Sequence, residues 1–241
     1  MRCAPPGRSL RGYGSLASFD AFRPEVQLQA IYAEMADEYR RSLYLTAKDL
    51  LGYRDMTQYT HGGIVAALQE SSTRKLICVP RGCFKSSVAV VSYSIWLLLN
   101  HPNLRILLDS EKYENSKNFI REIKGKLKDD RVTKVFGELE GEKWGEGEIT
   151  VRTRTQIYKE ASITASGIGA GKTGQHYDVI IHDDMNSKDN SQTPESRQKI
   201  IDHYRMNTSI LEPNGIMVVI GTRYAADDLI GWILENEVKV A

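Results

Sequence analysis

The segment Leu76-Ile-Cys-Val-Pro-Arg-Gly-Cys-Phe-Lys-Ser-Ser87 joins an apolar strand pattern to a helical one through a short loop ending in Lys-Ser. A loop of this kind aims backbone N–H groups and a helix N-terminus at phosphate oxygens, while the lysine supplies a point charge and the hydroxyl ligates Mg²⁺. Lys85 and Ser86 take those two roles, and Pro80, Arg81, Gly82, Cys83, Phe84 and Ser87 complete the loop. The pattern G-x-x-x-x-G-K-[ST] is incomplete, because its first glycine falls on Val79 and its last on Phe84, leaving Gly82 to relax the turn. The Phe84 side chain must point away from the phosphates, and its backbone is expected to avoid φ > 0. An ordinary strand-to-helix turn with a solvated lysine is the plain alternative.

A second element strengthens the phosphate reading. Val179-Ile-Ile-His-Asp-Asp184 reads as a buried strand whose end carries two adjacent carboxylates. In phosphoryl transfer one carboxylate anchors the Mg²⁺ shell and another orients or deprotonates the attacking water, which assigns Asp183 to the metal and Asp184 to the base. The third element, Met217-Val-Val-Ile-Gly-Thr-Arg-Tyr-Ala-Ala-Asp-Asp-Leu-Ile-Gly231, runs from a strand into Gly-Thr-Arg and then an acidic helix start.

With Pro80 to Ser87, Thr173-Gly-Gln-His-Tyr-Asp-Val-Ile-Ile-His-Asp-Asp184 and the Gly221-Thr-Arg223 segment in that order, the chain resembles the ATPase domain of large terminase subunits over about residues 60 to 235. Those are the motors that package DNA into tailed-bacteriophage and herpesvirus capsids. Terminases accept a degenerate Walker A with an arginine inside the loop, the place of Arg81 here. Their acidic pair is more often Asp-Glu, where this chain has Asp183-Asp184. The resemblance implies a P-loop NTPase fold of the RecA-like, ASCE type, hydrolysis of ATP with Mg²⁺, and double-stranded DNA as the translocated partner. It also implies a homo-oligomeric ring on a portal protein, a small terminase subunit as partner, the host cell cytoplasm as location, and a separate nuclease domain. No later acidic cluster suited to two metal ions follows the coupling region, so the nuclease domain is expected to be absent from this chain. Thr222 corresponds to the coupling position that senses the γ-phosphate. The glycine-rich segment before the acidic strand often carries a trans-acting arginine in terminases. Thr173 occupies that position here, leaving Lys172, Arg81 and Arg223 as suppliers of the trans-acting cation.

The elements that must position these groups alternate in type. Predicted helices are 24–51, an amphipathic covering helix with Leu28, Ile31, Met35, Tyr39 and Leu43 on one face, then 61–70, 86–99, 113–127 and 194–207. Predicted strands are 75–79, 105–109, 148–152, 161–165, 179–184 and 215–220, with 137–147 as an exposed loop or hairpin. Strands separated by helices give an α/β fold, a mainly parallel sheet flanked by helices on both faces. Its ligands bind at the C-terminal strand edges, where Lys85, Asp183 and Thr222 all fall. The expected organisation is a leader over residues 1–20, a helical extension over 21–58 and the ATPase domain over 59–241.

Composition excludes several classes. In 241 residues, 32 basic and 31 acidic side chains leave a net charge of +1, so the whole-chain charge makes no case for nucleic acid. Cys3, Cys78 and Cys83 have no paired spacing, against a disulfide framework or a cysteine zinc site. No apolar run approaches the roughly 20 residues that span a bilayer.

Rival readings stay open at this level. Ser166-Gly-Ile-Gly-Ala-Gly-Lys-Thr-Gly174 ends in Gly-Lys-Thr, yet lacks the first glycine and precedes a strand. A helicase-like ATPase would share the core, and a catalytically weak P-loop scaffold would share the missing glycines. His61, Gln58 and Gln69 lie where related ATPases recognise adenine, without singling one out. The basic residues from Lys112 to Lys134 read as a solvated face interleaved with acids, with DNA tracking as the alternative. His182 reads as a sheet histidine facing a polar neighbour.

Overall fold

The computed structural model describes residues 24–80, 82–171 and 174–237. The expected leader, Arg81, Lys172 and Thr173 lie outside the described residues. Helix α1 spans Pro24–Arg41. Only its second half packs on the core, through Ala36 and Tyr39, while Leu28 and Ile31 are exposed. The continuous helix predicted to residue 51 breaks at Ser42. This serine takes extended dihedrals and its hydroxyl accepts from Leu45 N at 3.2 Å, so it caps a new helix instead of continuing the old one. That helix, α2 (Leu43–Leu45), runs on as a π-helical turn over Thr46–Leu50, and Leu43, Ala47, Leu50 and Leu51 are fully buried in the main core.

Helix α3 (Gln58–Gln69) leads to β1 (Arg74–Cys78). After the loop a π-helical stretch, Ser87–Ser92, continues as α4 (Tyr93–Asn100). Then come β2 (Ile106–Ser110), α5 (Tyr113–Leu127), α6 (Asp130–Phe136), β3 (Glu140–Trp144), β4 (Glu148–Val151), β5 (Ile163–Gly167) and β6 (Tyr177–Asp183). The chain closes on α7 (Pro194–Ser209), β7 (Leu211–Gly221) and α8 (Leu229–Asn236). The predicted hairpin at 137–147 is present as β3 and β4, antiparallel to each other. Helix α6, capped by Asp129 accepting from Arg131 N, has no counterpart in the prediction.

One sheet of seven strands has the order β1-β7-β6-β2-β5-β4-β3, parallel from β1 through β5 and antiparallel at the β4 and β3 edge. Helices cover both faces, as expected. The period of two decides which face each side chain serves. Ile106, Leu108, Val179, Ile181, Val218 and Ile220 join the core under α4 and α5. The intervening Leu107, Ile180, Met217 and Val219 join a second core with Ile200, Tyr204 and Ile233 of α7 and α8. By the same parity Asp183 points to the face of the phosphate-loop helix and His182 to the face of α7. Among the described residues no helix is long and apolar enough to cross a membrane.

Candidate phosphate and metal site

Strand β1 ends at Cys78 beside Gly221 of β7, and Asp183 of β6 pairs with Ile220, so the three predicted elements finish side by side at one sheet edge. Strand β7 lies between the phosphate-loop strand and the acidic strand. That insertion, with β2 beyond β6, puts the end of β7 and Thr222 between the phosphate-loop strand and the acidic strand.

In the loop Gly82 takes φ +83, and Phe84, in the place of the last Walker glycine, takes φ +49. The expectation that Phe84 avoids positive φ is therefore wrong. Tertiary support explains the exception: the ring meets His61 edge-on with centroids 5.7 Å apart, and the Phe84 carbonyl accepts the first helical bond from Val88 N at 3.0 Å. A bulky residue in the left-handed region costs about 1–2 kcal/mol, so Phe84 holds this left-handed backbone under strain where a glycine would not. The ring points to His61.

Lys85 Nζ forms an ion pair with Asp184 Oδ1 and donates to Thr222 Oγ1 at 3.4 Å, and Thr222 Oγ1 in turn donates to the Val79 carbonyl at 3.5 Å. Ser86 Oγ donates to Asp183 Oδ1 at 2.8 Å. Lys85 and Asp183 are both buried, whereas the Asp184 side chain is 38% exposed. Burial, followed by the negative charge of Asp184, pushes the Asp183 carboxyl up to about 7 against the opposing pull of the Ser86 hydroxyl and the Lys85 ammonium. A buried carboxyl raised in this way is short of positive charge, which a divalent cation would supply. Ser86 and Asp183 would hold Mg²⁺, which takes one or two protein oxygens and completes its shell with phosphate and water. Asp184 sits at φ +44, anchored by its N–H to the Ile220 carbonyl at 2.9 Å. Asp tolerates this conformation better than most side chains.

Other predicted residues are placed differently. Arg223 folds back on its own loop, donating to the carbonyls of Ala225 at 3.2 Å and Ala226 at 2.7 Å, and does not join Lys85. The α8 cap is Asp228, whose carboxylate accepts from Tyr224 N, Ala225 N and Gly231 N, while Asp227 pairs with Arg197. A Cβ on Gly231 would lie 1.9 Å from the Ala226 carbonyl oxygen, so glycine alone lets α8 start there. Gln69 is committed to structure, accepting from Leu43 N and donating to the Arg41 carbonyl. His61 is buried with Nδ1 against the Thr57 backbone, which makes it a support for Phe84. Gln58 stays exposed.

The second glycine-rich segment lies between β5 and β6, and its described residues form no helix. Most of the basic residues around α5 are already engaged: Lys117 with Glu114 and Glu146, Lys124 with the carbonyls of Trp144 and Gly145, Lys126 with the Leu51 carbonyl, Lys128 with Glu140. The solvated-face reading fits that pairing. His182 does face a polar neighbour, Asp109, at 3.0 Å. Sequence reasoning left Asp109, His203 and Asn207 unremarked, and Glu111, which accepts from Ser187 Oγ at 2.8 Å past the end of β2.

No protein-family model and no curated protein matches the sequence. Among solved structures, the ATPase domain of the large terminase of Thermus phage P74-26, in a point-mutant form, is a distant structural relative: TM-score 0.42, 14% identity, 74% of this chain and 69% of that chain covered. At that degree of likeness the neighbour carries no argument, and the α/β fold rests on the strand order of the chain itself.

Proposed function

We propose that the chain binds Mg·ATP at the β1 loop and hydrolyses it, and that it does so as the ATPase domain of a DNA-packaging motor of the large terminase type. The single observation that carries the ATPase reading is the convergence of two pairs, Lys85 with Asp184 and Ser86 with Asp183, at the edge where β1, β7 and β6 end.

In the resting geometry Lys85 spends its charge on Asp184. A triphosphate entering the loop competes for that ammonium, which moves to the β/γ-phosphates and frees the Asp184 carboxylate. Freed, Asp184 accepts a proton from, or orients, a water for in-line attack. Ser86 and Asp183 would hold a divalent cation, whose chemistry there would be to offset negative charge on the phosphates. Thr222, bridging Lys85 and the Val79 carbonyl, registers whether the lysine is engaged and passes this to β7. The basic residues around α5 are held by acids and backbone carbonyls, so in this reading DNA contact falls to other surfaces of an assembled ring, with portal protein and small terminase subunit as the partners of that assembly.

The test is ATP turnover by the purified chain, alone and with linear double-stranded DNA, across a range of protein concentrations. A trans-acting arginine contributes about 10³ to 10⁵ in rate in P-loop enzymes, so turnover per subunit is expected to rise with concentration. Mixing Lys85→Ala subunits with Arg81→Ala or Arg223→Ala subunits is expected to restore activity in one pairing. Turnover that ignores both DNA and concentration would remove the motor reading and leave a self-contained ATPase.

A further inference from the structure

On the opposite face of the sheet from the phosphate loop lies a buried polar node that the chemistry above does not use. Asp109 of β2 and His182 of β6 are register partners with fully buried side chains. One carboxylate oxygen, Asp109 Oδ2, receives His182 Nδ1 at 3.0 Å, His203 Nε2 at 2.8 Å and Asn207 Nδ2 at 2.9 Å. His203 and Asn207 stand one turn apart on α7. Burial alone would raise the Asp109 carboxyl, but the hydrogen bonds from the two histidines hold it well below its ordinary range. Asp109 Oδ1, His182 Nε2 and Asn207 Oδ1 are buried and have no hydrogen-bond partner among the described residues. Helix-to-sheet packing does not need this arrangement. Leu107, Ile180, Ile200 and Tyr204 already supply an apolar interface there, and an apolar replacement of a buried ionic group commonly holds a fold as well or better.

The node's place in the chain suggests what it is for. His182 immediately precedes the two site carboxylates and points to the other face. Helix α7 follows them after the loop 185–193 and leads directly into β7, at whose end Thr222 meets Lys85. The node therefore braces the β6–α7–β7 crossover, both of whose strand ends carry site groups. Apolar side chains slide over one another with little resistance, whereas three donors aimed at one oxygen fix position and direction.

We propose that Asp109, His182, His203 and Asn207 form a positioning node that locks the end of β6, and with it Asp183 and Asp184, to helix α7, so that a displacement of either is transmitted to the other. Its kinetic consequence rests on the ATPase reading; its mechanical consequence does not.

The test uses His203→Leu and His203→Gln in the full chain. Glutamine replaces the Nε2 donor with an amide N–H at similar reach, and leucine removes it. A misplacement of about 1 Å at a reacting group costs up to about 10²-fold, so His203→Leu is expected to lower kcat at least about tenfold with KM for Mg·ATP within about threefold, and His203→Gln to stay near wild type. Amide hydrogen exchange without nucleotide is the second readout. In His203→Leu the Asp184 N–H should exchange faster along with α7, and in His203→Gln neither should change. If wild-type turnover is absent, the ATPase reading fails and the exchange arm decides alone. Should His203→Leu not fold, Asn207→Ala, which removes one donor, takes its place with the same expectations. Loosening of α7 with the Asp184 amide and kcat unchanged, or equal defects in the leucine and glutamine variants, would overturn the proposal.

Discussion

Replacing Asp183 by Asn keeps the shape of the side chain and removes its charge. In the fold the Asp183 carboxyl is raised from 3.8 to about 7, first by burial and then by the neighbouring Asp184 charge. A carboxyl whose folded pKa lies above its unfolded value holds a proton in the fold across roughly pH 4 to 7 and loses it in the unfolded chain. The fold is therefore favoured at the acid end of that window and loses stability as pH rises through it. About three pH units at ~1.4 kcal/mol each set the loss on the order of 4 kcal/mol by pH 8, shared with Asp184 because the two carboxylates repel. Asp183→Asn should therefore unfold at higher urea than wild type at pH 8 without divalent ions, and the gap should narrow as pH falls and close at or below about pH 4, the unfolded value. Adding Mg²⁺ at pH 8 should stabilise wild type and leave Asp183→Asn unchanged, because the cation replaces the missing proton. Urea melts at the two pH values, with and without Mg²⁺, read all four conditions. Parallel pH dependence in wild type and variant would refute the reasoning, since it would mean that Asp183 is not the group under strain.

Three further outcomes follow from the same geometry. At φ +49 the Phe84 backbone favours glycine, so Phe84→Gly should be more stable than Phe84→Ala by about 1 kcal/mol in chemical melts, the reverse of the usual order at exposed sites; alanine ranking above glycine would mean the loop is not left-handed there. Asp184→Asn should bind Mg·ATP at least as tightly as wild type, because Lys85 loses its competing carboxylate, while turnover falls about 10²-fold or more, and Asp184→Glu should fail to match wild type because glutamate tolerates φ +44 less well; a glutamate variant faster than wild type would show that side-chain length outweighs backbone strain. Thr222→Val removes the 3.4 Å contact to Lys85 and should lower kcat with nucleotide affinity held within about threefold; a large loss of affinity instead would make Thr222 a binding residue.

The site was legible in the sequence where side-chain type and local period agree. Asp183-Asp184 and Thr222 each close an apolar run that periodicity locates, Lys85-Ser86 follows a third such run across a short loop, and a parallel sheet then brings these strand ends to one edge. What escaped depends on partners distant in the chain. Phe84 takes a conformation that its neighbours in sequence argue against, because His61, a residue of another helix, supports its ring. Asp109 meets His182, His203 and Asn207 across separations of 73, 94 and 98 residues, and only the strand order places them together. The break at Ser42 was hidden by an apolar period that continues past it, although a serine before Leu43 is itself a capping signal. Helix α6 is one short turn-rich element of mixed charge, below what a hydrophobic period resolves.

The central claim is that the Lys85 loop, and not the glycine-rich segment at Lys172, holds the nucleotide. Calorimetric titration of Mg·ATP into wild type, Lys85→Ala and Lys172→Ala, with thermal melts to show that all three are folded, tests it most directly. Binding lost in Lys85→Ala and retained in Lys172→Ala is the predicted result; binding retained in Lys85→Ala and lost in Lys172→Ala would contradict it and move the phosphate site to the β5–β6 connection.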